Sequence, residues 1–372
     1  MNHLNPKKIL VIKLRSFGDT VIMTAPLEDL RKNYPNSKID VLVTTQWAPI
    51  LENNPFIDKI IPYTKKKETT ARAKSLARLG FQLRKERYDV VINMHASPSS
   101  SMLAFATGAK VKSIHFHGHK DKNRYSTVII PGKGETKPII ERDCDTLRAL
   151  GCFIPNGLLP KIFITSNEKE KVAQYFKNEN IDQPIIGFGI GSSRETKIWP
   201  LDRFASLAIR LIQFKKCHIA IFTGPDEIKL KNEFLNSFED QIHLLGQDQK
   251  NAEVLLKQIH FFSDLNLREL SSILQQCQLF IGNDSGPRHL AVAVGTKTVT
   301  IIGPEHPYEW HPYPIDSHPY LFIENLSCRK DALPGMPPWC GLEVCTTERH
   351  QCIHLIRIEQ VFEKCLKLLE KR

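Results

Sequence analysis

The sequence predicts two doubly wound α/β domains joined by a short linker. Strand-like apolar runs alternate with amphipathic, helix-like segments along the chain, the pattern of parallel sheets covered by helices on both faces. Glycine-anchored turns follow two of those runs, at Arg15-Ser16-Phe17-Gly18-Asp19 and at Gly282-Asn283-Asp284-Ser285-Gly286-Pro287-Arg288-His289. At 372 residues the chain exceeds the usual size of one core, whereas two domains of roughly 150–180 residues fit it.

In the first half, residues 9–14, 39–43, 57–61 and 90–93 read as strands, with helices expected over 20–33, near Trp47 and over 69–87. A linker around 151–160 precedes the second series. There, strands are expected at 185–190, 218–222, 242–245, 279–281 and 298–302, and helices at 201–214, 226–235, 267–276 and 286–294. In the last segment Ile353, Ile356, Ile358, Val361, Phe362, Leu366 and Leu369 fall mainly along one helical face. The expected domains are 1–160 and 161–350, followed by a carboxyl-terminal helix at 351–372.

The 41% hydrophobic content supplies ample core. Fifty-one basic against 40 acidic residues leave a net charge of +11, with basic clusters at 65–67, 84–87 and 120–124. Such a surplus suits an anionic partner of the first domain, although many such runs are solvated helix faces. No apolar stretch approaches the roughly 18 residues needed to span a bilayer, and residues 1–5 lead directly into a strand, so the expected location is the cytoplasm. Nine cysteines, an odd number, are expected to be reduced thiols. Four of them, Cys328, Cys340, Cys345 and Cys352, crowd into one stretch with His350 nearby, without zinc-knuckle spacing.

Each turn admits a structural and a chemical reading. Asp19, just after Gly18, is either a helix-start carboxylate or a general base. Asp284 and Ser285 are competent helix caps, yet amides around Ser285 and Gly286 also form a ready diphosphate cradle, with Arg288 as a neighbouring cation. The turn Gly187-Phe188-Gly189-Ile190-Gly191-Ser192 is a weak dinucleotide fingerprint, because no acidic residue ends the next strand in the usual place. Asp143-Cys144-Asp145 spells a metal-binding pattern but sits in an expected helix, where residues two apart diverge, so both carboxylates are expected at the surface. His95 and the alternating histidines at 115–119 have no ligand spacing, and His95 ends a strand where a substrate could bind.

In order along the chain, the opening Lys8-Ile9-Leu10-Val11-Ile12-Lys13 with Gly18-Asp19, then Lys197-Ile198-Trp199-Pro200, Asn283-Asp284-Ser285-Gly286-Pro287-Arg288-His289 and Ile302-Gly303-Pro304 resemble glycosyltransferase family 9, the bacterial ADP-heptose:lipopolysaccharide heptosyltransferases. The resemblance covers nearly the whole chain. It implies the GT-B architecture: two Rossmann-like domains facing across a cleft, with the carboxyl-terminal helix returning to the first. It further implies inverting transfer with Asp19 as base and no metal or other cofactor, ADP-heptose being the donor substrate. Arg15, Ser16, Gly18 and His95 would meet the acceptor; Gly189, Ser192, Lys197, Glu227, Asp284, Ser285, Gly286, Arg288 and His289 would meet the donor, with 265–267 bordering the adenine. Arg288 departs from the family, which usually has a small residue there. Trp199 is expected to pack at a helix start, and a structural metal at the four cysteines is a further implication.

The implied partners are an ADP-sugar and the lipopolysaccharide core at the inner-membrane surface, met peripherally by a protein read as monomeric, and not nucleic acid. The opening segment looks most like the branch that adds the third heptose. Two rivals stay open: the same fold using another nucleotide-sugar donor for surface polysaccharide, and a Rossmann-like nucleotide-binding protein without transferase chemistry.

Overall fold

The computed structural model describes residues 4–95, 97–115, 123–130, 136–182, 184–224, 227–246, 249–329, 339–347 and 349–370. The chain divides into two compact units, Met1–Phe163 and Ile164–Arg372. The second unit thus takes in the segment expected to stand apart at 351–372.

The first unit is built on a five-stranded sheet in the order β3-β2-β1-β4-β5. Its strands are β1 (Lys8–Lys13), β2 (Lys38–Thr44), β3 (Lys59–Tyr63), β4 (Val90–Asn93) and β5 (Val111–Ile114). Every pairing is parallel, with Lys8 opposite Lys38 and Ile9 opposite Val90. Because β1 runs outward to β2 on one side and β4 lies on the other, the strand order reverses between β1 and β4. Ligands of open α/β sheets bind beyond the carboxyl ends of strands at such a reversal. Arg15 to Asp19 follow β1 and His95 follows β4, so the residues singled out in this half converge there.

The second unit repeats this logic. Its six parallel strands are β6 (Ile185–Gly189), β7 (His218–Phe222), β8 (Ile259–Phe262), β9 (Leu279–Asn283), β10 (Lys297–Ile301) and β11 (Tyr320–Leu321), in the order β11-β10-β9-β6-β7-β8. The reversal lies between β6 and β9. Ser192 follows the first and Asp284 the second.

Three expectations are corrected. The helix read over 20–33 is two helices, Phe17–Ile22 and Leu27–Asn33, because Pro26 has no N–H to donate and its ring crowds the carbonyl four residues back. The strand read at 242–245 is the last turn of the helix Ile228–Leu244. Phe234, Phe238 and Ile242 recur every four residues and bury one helical face, while Leu244 and Leu245 stand exposed. The strand in this position is β8, which follows a helix Gln249–Leu256 that the apolar pattern did not mark.

The carboxyl-terminal segment forms two helices, Gln351–His354 and Ile358–Glu370, which pack an apolar face within the second unit. Ile353, Ile356, Val361, Cys365 and Leu368 join the core of that unit beside Trp199 and Phe204. Trp199 Nε1 donates to the Ile356 carbonyl at 3.0 Å, and Lys297 Nζ to the Leu368 carbonyl at 3.0 Å. Those two bonds satisfy buried polar groups and fix the register of the segment.

The third correction concerns Asp143 and Asp145, both buried within the helix Ile139–Arg148. Lys13 Nζ, itself 1% exposed, lies 2.7 Å from each Asp143 carboxylate oxygen and also donates to the Met94 carbonyl at 3.0 Å. Asp145 instead pairs with Lys137 and Arg148. The two carboxylates do point to different partners, so they share no metal, but neither is a surface group.

Candidate active site

In the first unit, β1 ends on Lys13 and the chain turns through Ser16 into the six-residue helix Phe17–Ile22. That turn places Asp19 in the first helical turn, 5% exposed. Its Oδ2 accepts from Ser16 Oγ and lies 3.4 Å from Arg15 Nε. Its Oδ1 is buried and has no hydrogen-bond partner among the described residues. A buried carboxylate oxygen left open is costly unless something donates to it. Behind it, burial pushes the Asp143 carboxyl up to about 6 against the opposing pull of Lys13, and the charge of Asp19 adds to that rise.

Beside this turn opens a cavity of about 860 Å³. Arg15, Ser16 and His95 line it, whereas Gly18 and Asp19 are not among its lining residues. His95 is oriented by its backbone N–H, which donates to Asn93 Oδ1 at 3.1 Å. Trp47, Lys65, Arg72, Ser97 and Ser99 complete the wall and were not read as site residues. The signal was present for Lys65, which belongs to the basic cluster at 65–67, but Arg72 lies in none of those clusters and nothing in the sequence paired it with a turn so far away. Trp47 is held by stacking on Phe17, ring centroids 5.4 Å apart.

In the second unit, Asn283 ends β9 and organises the neighbouring loops. Its Oδ1 accepts from the Trp199 N–H at 3.0 Å and its Nδ2 donates to the Ile190 carbonyl at 2.8 Å, tying the end of β9 to the turns after β6. Trp199 is fully buried, edge-on to Phe204 at 4.9 Å, and is therefore packing. Fixing Trp199 fixes Lys197, whose Nζ lies 2.7 Å from Asp284 Oδ2 and 3.2 Å from Glu305 Oε1. Glu305 also pairs with Arg194. Burial lowers the Lys197 ammonium pKa, with Asp284 opposing the fall. Burial alone would raise the Asp284 carboxyl, but Arg288 and Lys197 hold it well below the usual carboxylate range.

Ser285 stands at the start of the helix Gly286–Ala293 without capping it, and its Oγ is buried with no partner among the described residues. Those first amides thus receive no side-chain cap from Ser285. Ser192 Oγ reaches the Asp284 carbonyl at 3.4 Å. Glu227 accepts from the Gly224 N–H at 2.7 Å, and its carboxylate lies so close to Gly191 that a methyl group there would overlap it. Asp226, beside Glu227, lies outside the described residues, as do His117 and His119.

Three expected donor residues are placed away from open space. Gly189 lies within β6, where a side chain would strike the Phe280 ring. Arg288 is 1% exposed, donating to Asp284 Oδ1, to the Trp310 carbonyl at 2.7 Å and to His311 Nδ1. His289 is buried against Tyr313, with Nδ1 at the Tyr313 hydroxyl, and burial beside Arg288 drives its pKa far down. Arg288 therefore braces Asp284 from behind. Glu305, next to Ile302-Gly303-Pro304, and His311 are the functional neighbours that sequence reasoning missed.

The four cysteines at 328, 340, 345 and 352 do line one small cavity, with Arg329 and His350. Burial pushes the Cys352 thiol up to about 11, against the Arg329 cation. Among the described residues no group of three or more Cys, His, Asp or Glu is arranged to hold a metal.

Residues 76–331, more than half the chain, match the sequence profile of glycosyltransferase family 9 (heptosyltransferase). The chain belongs to glycosyltransferase family 9. This family-9 chain is 24% identical over 308 residues to lipopolysaccharide heptosyltransferase 3 of Escherichia coli, covering 81% of itself and 84% of that protein. It is 27% identical to lipopolysaccharide heptosyltransferase 1 of Campylobacter coli, over 80% and 84% of the two chains. The crystal structure of the E. coli ADP-heptose lipopolysaccharide heptosyltransferase II superposes with a TM-score of 0.71 at 21% identity, covering 98% of this chain and 99% of that one. That likeness establishes the GT-B fold for the family-9 chain.

Proposed function

We propose that this family-9 glycosyltransferase moves a heptose from ADP-heptose to the lipopolysaccharide inner core, with inversion at the anomeric carbon. The observation that carries the donor half is the open helix start at Ser285 and Gly286 beside the Lys197–Asp284 pair. Amides and an ammonium suit a diphosphate, and the Asp284 carboxylate suits a sugar or ribose hydroxyl. Glu227, fixed at its turn by the Gly224 N–H, is the candidate for the ribose. The name of the E. coli relative, a heptosyltransferase 3, and the opening segment favour the branch that adds a later heptose.

The acceptor half rests on Asp19 and the cavity beside it. In the reaction, the Asp19 carboxylate takes the proton of the acceptor hydroxyl as that oxygen bonds to the anomeric carbon. The bond from that carbon to the diphosphate oxygen breaks, and its electron pair leaves on ADP. Lys197 and the amides of Ser285 and Gly286 stabilise the charge on the departing diphosphate, which is the work a divalent ion does in other transferases. Arg15, Lys65 and Arg72 give the cavity a cationic lining suited to the phosphates and acids of the core. The proposed place of action is the cytoplasmic face of the inner membrane; no helix among the described residues is long and apolar enough to cross a bilayer.

The test is ADP release from ADP-heptose by purified protein, with and without heptose-deficient core acceptor and with a chelator present. Acceptor-dependent release that survives chelation is expected. Absence of release with a folded protein and a range of core acceptors, but release from another nucleotide sugar, would replace the donor and keep the family.

A further inference from the structure

The helix Thr69–Lys85 contains five basic residues and no acidic one among its 17. Its sides differ. Leu79 and Leu83 are buried in the core of the first unit, and Arg72 and Leu76 line the cavity beside the Asp19 turn. Lys74, Arg78, Phe81 and Lys85, which recur at helical spacing, form a separate, exposed stripe. Phe81 is 62% exposed, and Lys85 Nζ sits 4.6 Å from its ring centroid.

The adjoining helix Pro98–Ala106 continues this face. It packs closely on the first, since a side chain on Gly80 would meet Ala106 Cβ at 3.0 Å. Leu103 and Ala104 turn inward, while Met102 and Phe105 stand exposed. Tyr125 lies 5.1 Å from the Phe105 ring, Arg124 covers Tyr125, and Ile129 beyond them is exposed. No acidic residue occurs in 98–115 or 123–130. Single exposed apolar side chains are ordinary, but a set of large ones on neighbouring elements, interspersed with cations that have no acidic partner among the described residues, is the composition of an interfacial membrane surface.

We propose that this face docks on an anionic bilayer, with Phe81, Met102 and Phe105 entering the headgroup region and Lys74, Arg78 and Lys85 meeting anionic lipid. Charge complementarity selects that occupant: a second copy presenting the same face would set cations against cations. Arg72 and Leu76 lie on the opposite side of the same helix, so docking sets the cavity behind that helix, about one helix diameter (~10 Å) from the membrane surface. The purpose of that juxtaposition rests on the lipid-borne acceptor proposed above, whereas the docking itself is independent of it.

Flotation of the full chain with vesicles of phosphatidylethanolamine and phosphatidylglycerol, against vesicles of phosphatidylcholine alone, tests this. The wild type is expected on the anionic vesicles, less so as salt rises. A K74E/R78E/K85E variant should lose about a hundredfold in partitioning. An F81S/M102S/F105S variant should lose partitioning at unchanged charge, and both should retain ADP affinity and a cooperative melt. Wild type left in solution with anionic vesicles overturns the proposal, as does equal partitioning of either variant. A concentration-dependent dimer abolished by the same substitutions would assign the face to a second copy and overturn it too. Flotation reads no sugar transfer, so a failure of the heptosyl reading leaves this result standing, and the reverse.

Discussion

Arg288 Nη1 lies 3.0 Å from His311 Nδ1, deep in the second unit. A guanidinium can only donate, so Nδ1 must be bare; the proton is on Nε2, which lies 2.7 Å from the His318 carbonyl and donates to it. His311 is thereby neutral and fixed in one tautomer. It holds Arg288, and Arg288 holds Asp284. Arg288 therefore acts through Asp284 and is a positioning residue.

Replacing Arg288 should accordingly weaken donor binding and stability together. R288A leaves the Asp284 carboxylate with less compensation in a buried site, a change that costs about 3–5 kcal/mol in comparable pairs. R288K restores the charge but cannot reach Asp284, His311 and the Trp310 carbonyl at once, so it should recover melting temperature more than ADP affinity. Calorimetric titration with ADP and thermal melts of both variants separate the two effects; equal ADP affinity in all three proteins would refute the bracing role.

The same histidines predict acid sensitivity. Burial pushes His311 down to about 3, where Arg288 adds to the fall, and pushes His318 down to about 4. Above pH ~6.5 these groups are neutral in folded and unfolded chains alike, so their full contribution is present. Below that, the unfolded chain takes up protons that the folded one refuses, and stability falls with pH until the folded values are reached. For His311 the loss at pH 5 is about 2 kcal/mol. Urea midpoints at pH 7.5 and 5.0 should show the decline, and H311Q should flatten it.

The two turns were legible because a glycine-anchored turn after a strand marks where side chains gather. Asp19, Ser192, Asp284 and Ser285 were singled out on that ground, whereas Lys197 was marked by the resemblance. The burial of Arg288 was not legible, because a cation beside a phosphate-binding turn looks the same in sequence whether it faces the ligand or the core. Only its 1% exposure decides. The helix Ile228–Leu244 was cut short because Leu244 and Leu245 prolong an apolar run past the buried stripe.

Lys13 and Asp143 were hidden for a different reason, as contact between residues 130 positions apart leaves no local pattern. Both are 1% exposed. D143A should therefore destabilise the chain by about 3–5 kcal/mol, leaving an ammonium buried with only the Met94 carbonyl for company. The double variant K13M/D143L, which removes both charges at similar volume, should recover most of that loss. Chemical denaturation of the three proteins decides between a pair that merely compensates its own burial and one that the fold requires.

Asp19 offers the sharpest division between chemistry and binding. Its Oδ1 lacks a partner among the described residues, so a proton acceptor is available, while Ser16 and Arg15 fix the other oxygen. D19N keeps the size and the possible bond from Ser16 but cannot accept a proton at Oδ1 as a carboxylate does. General-base catalysis contributes roughly 10²–10⁴-fold, and a fall of that order in kcat is expected with KM for the donor unchanged. Binding of ADP should stay at the wild-type value, because every donor contact assigned above lies in the other unit. A D19N protein that turns over normally would move the base elsewhere, whereas one that loses ADP affinity in step with kcat would make Asp19 a structural carboxylate of the β1 turn.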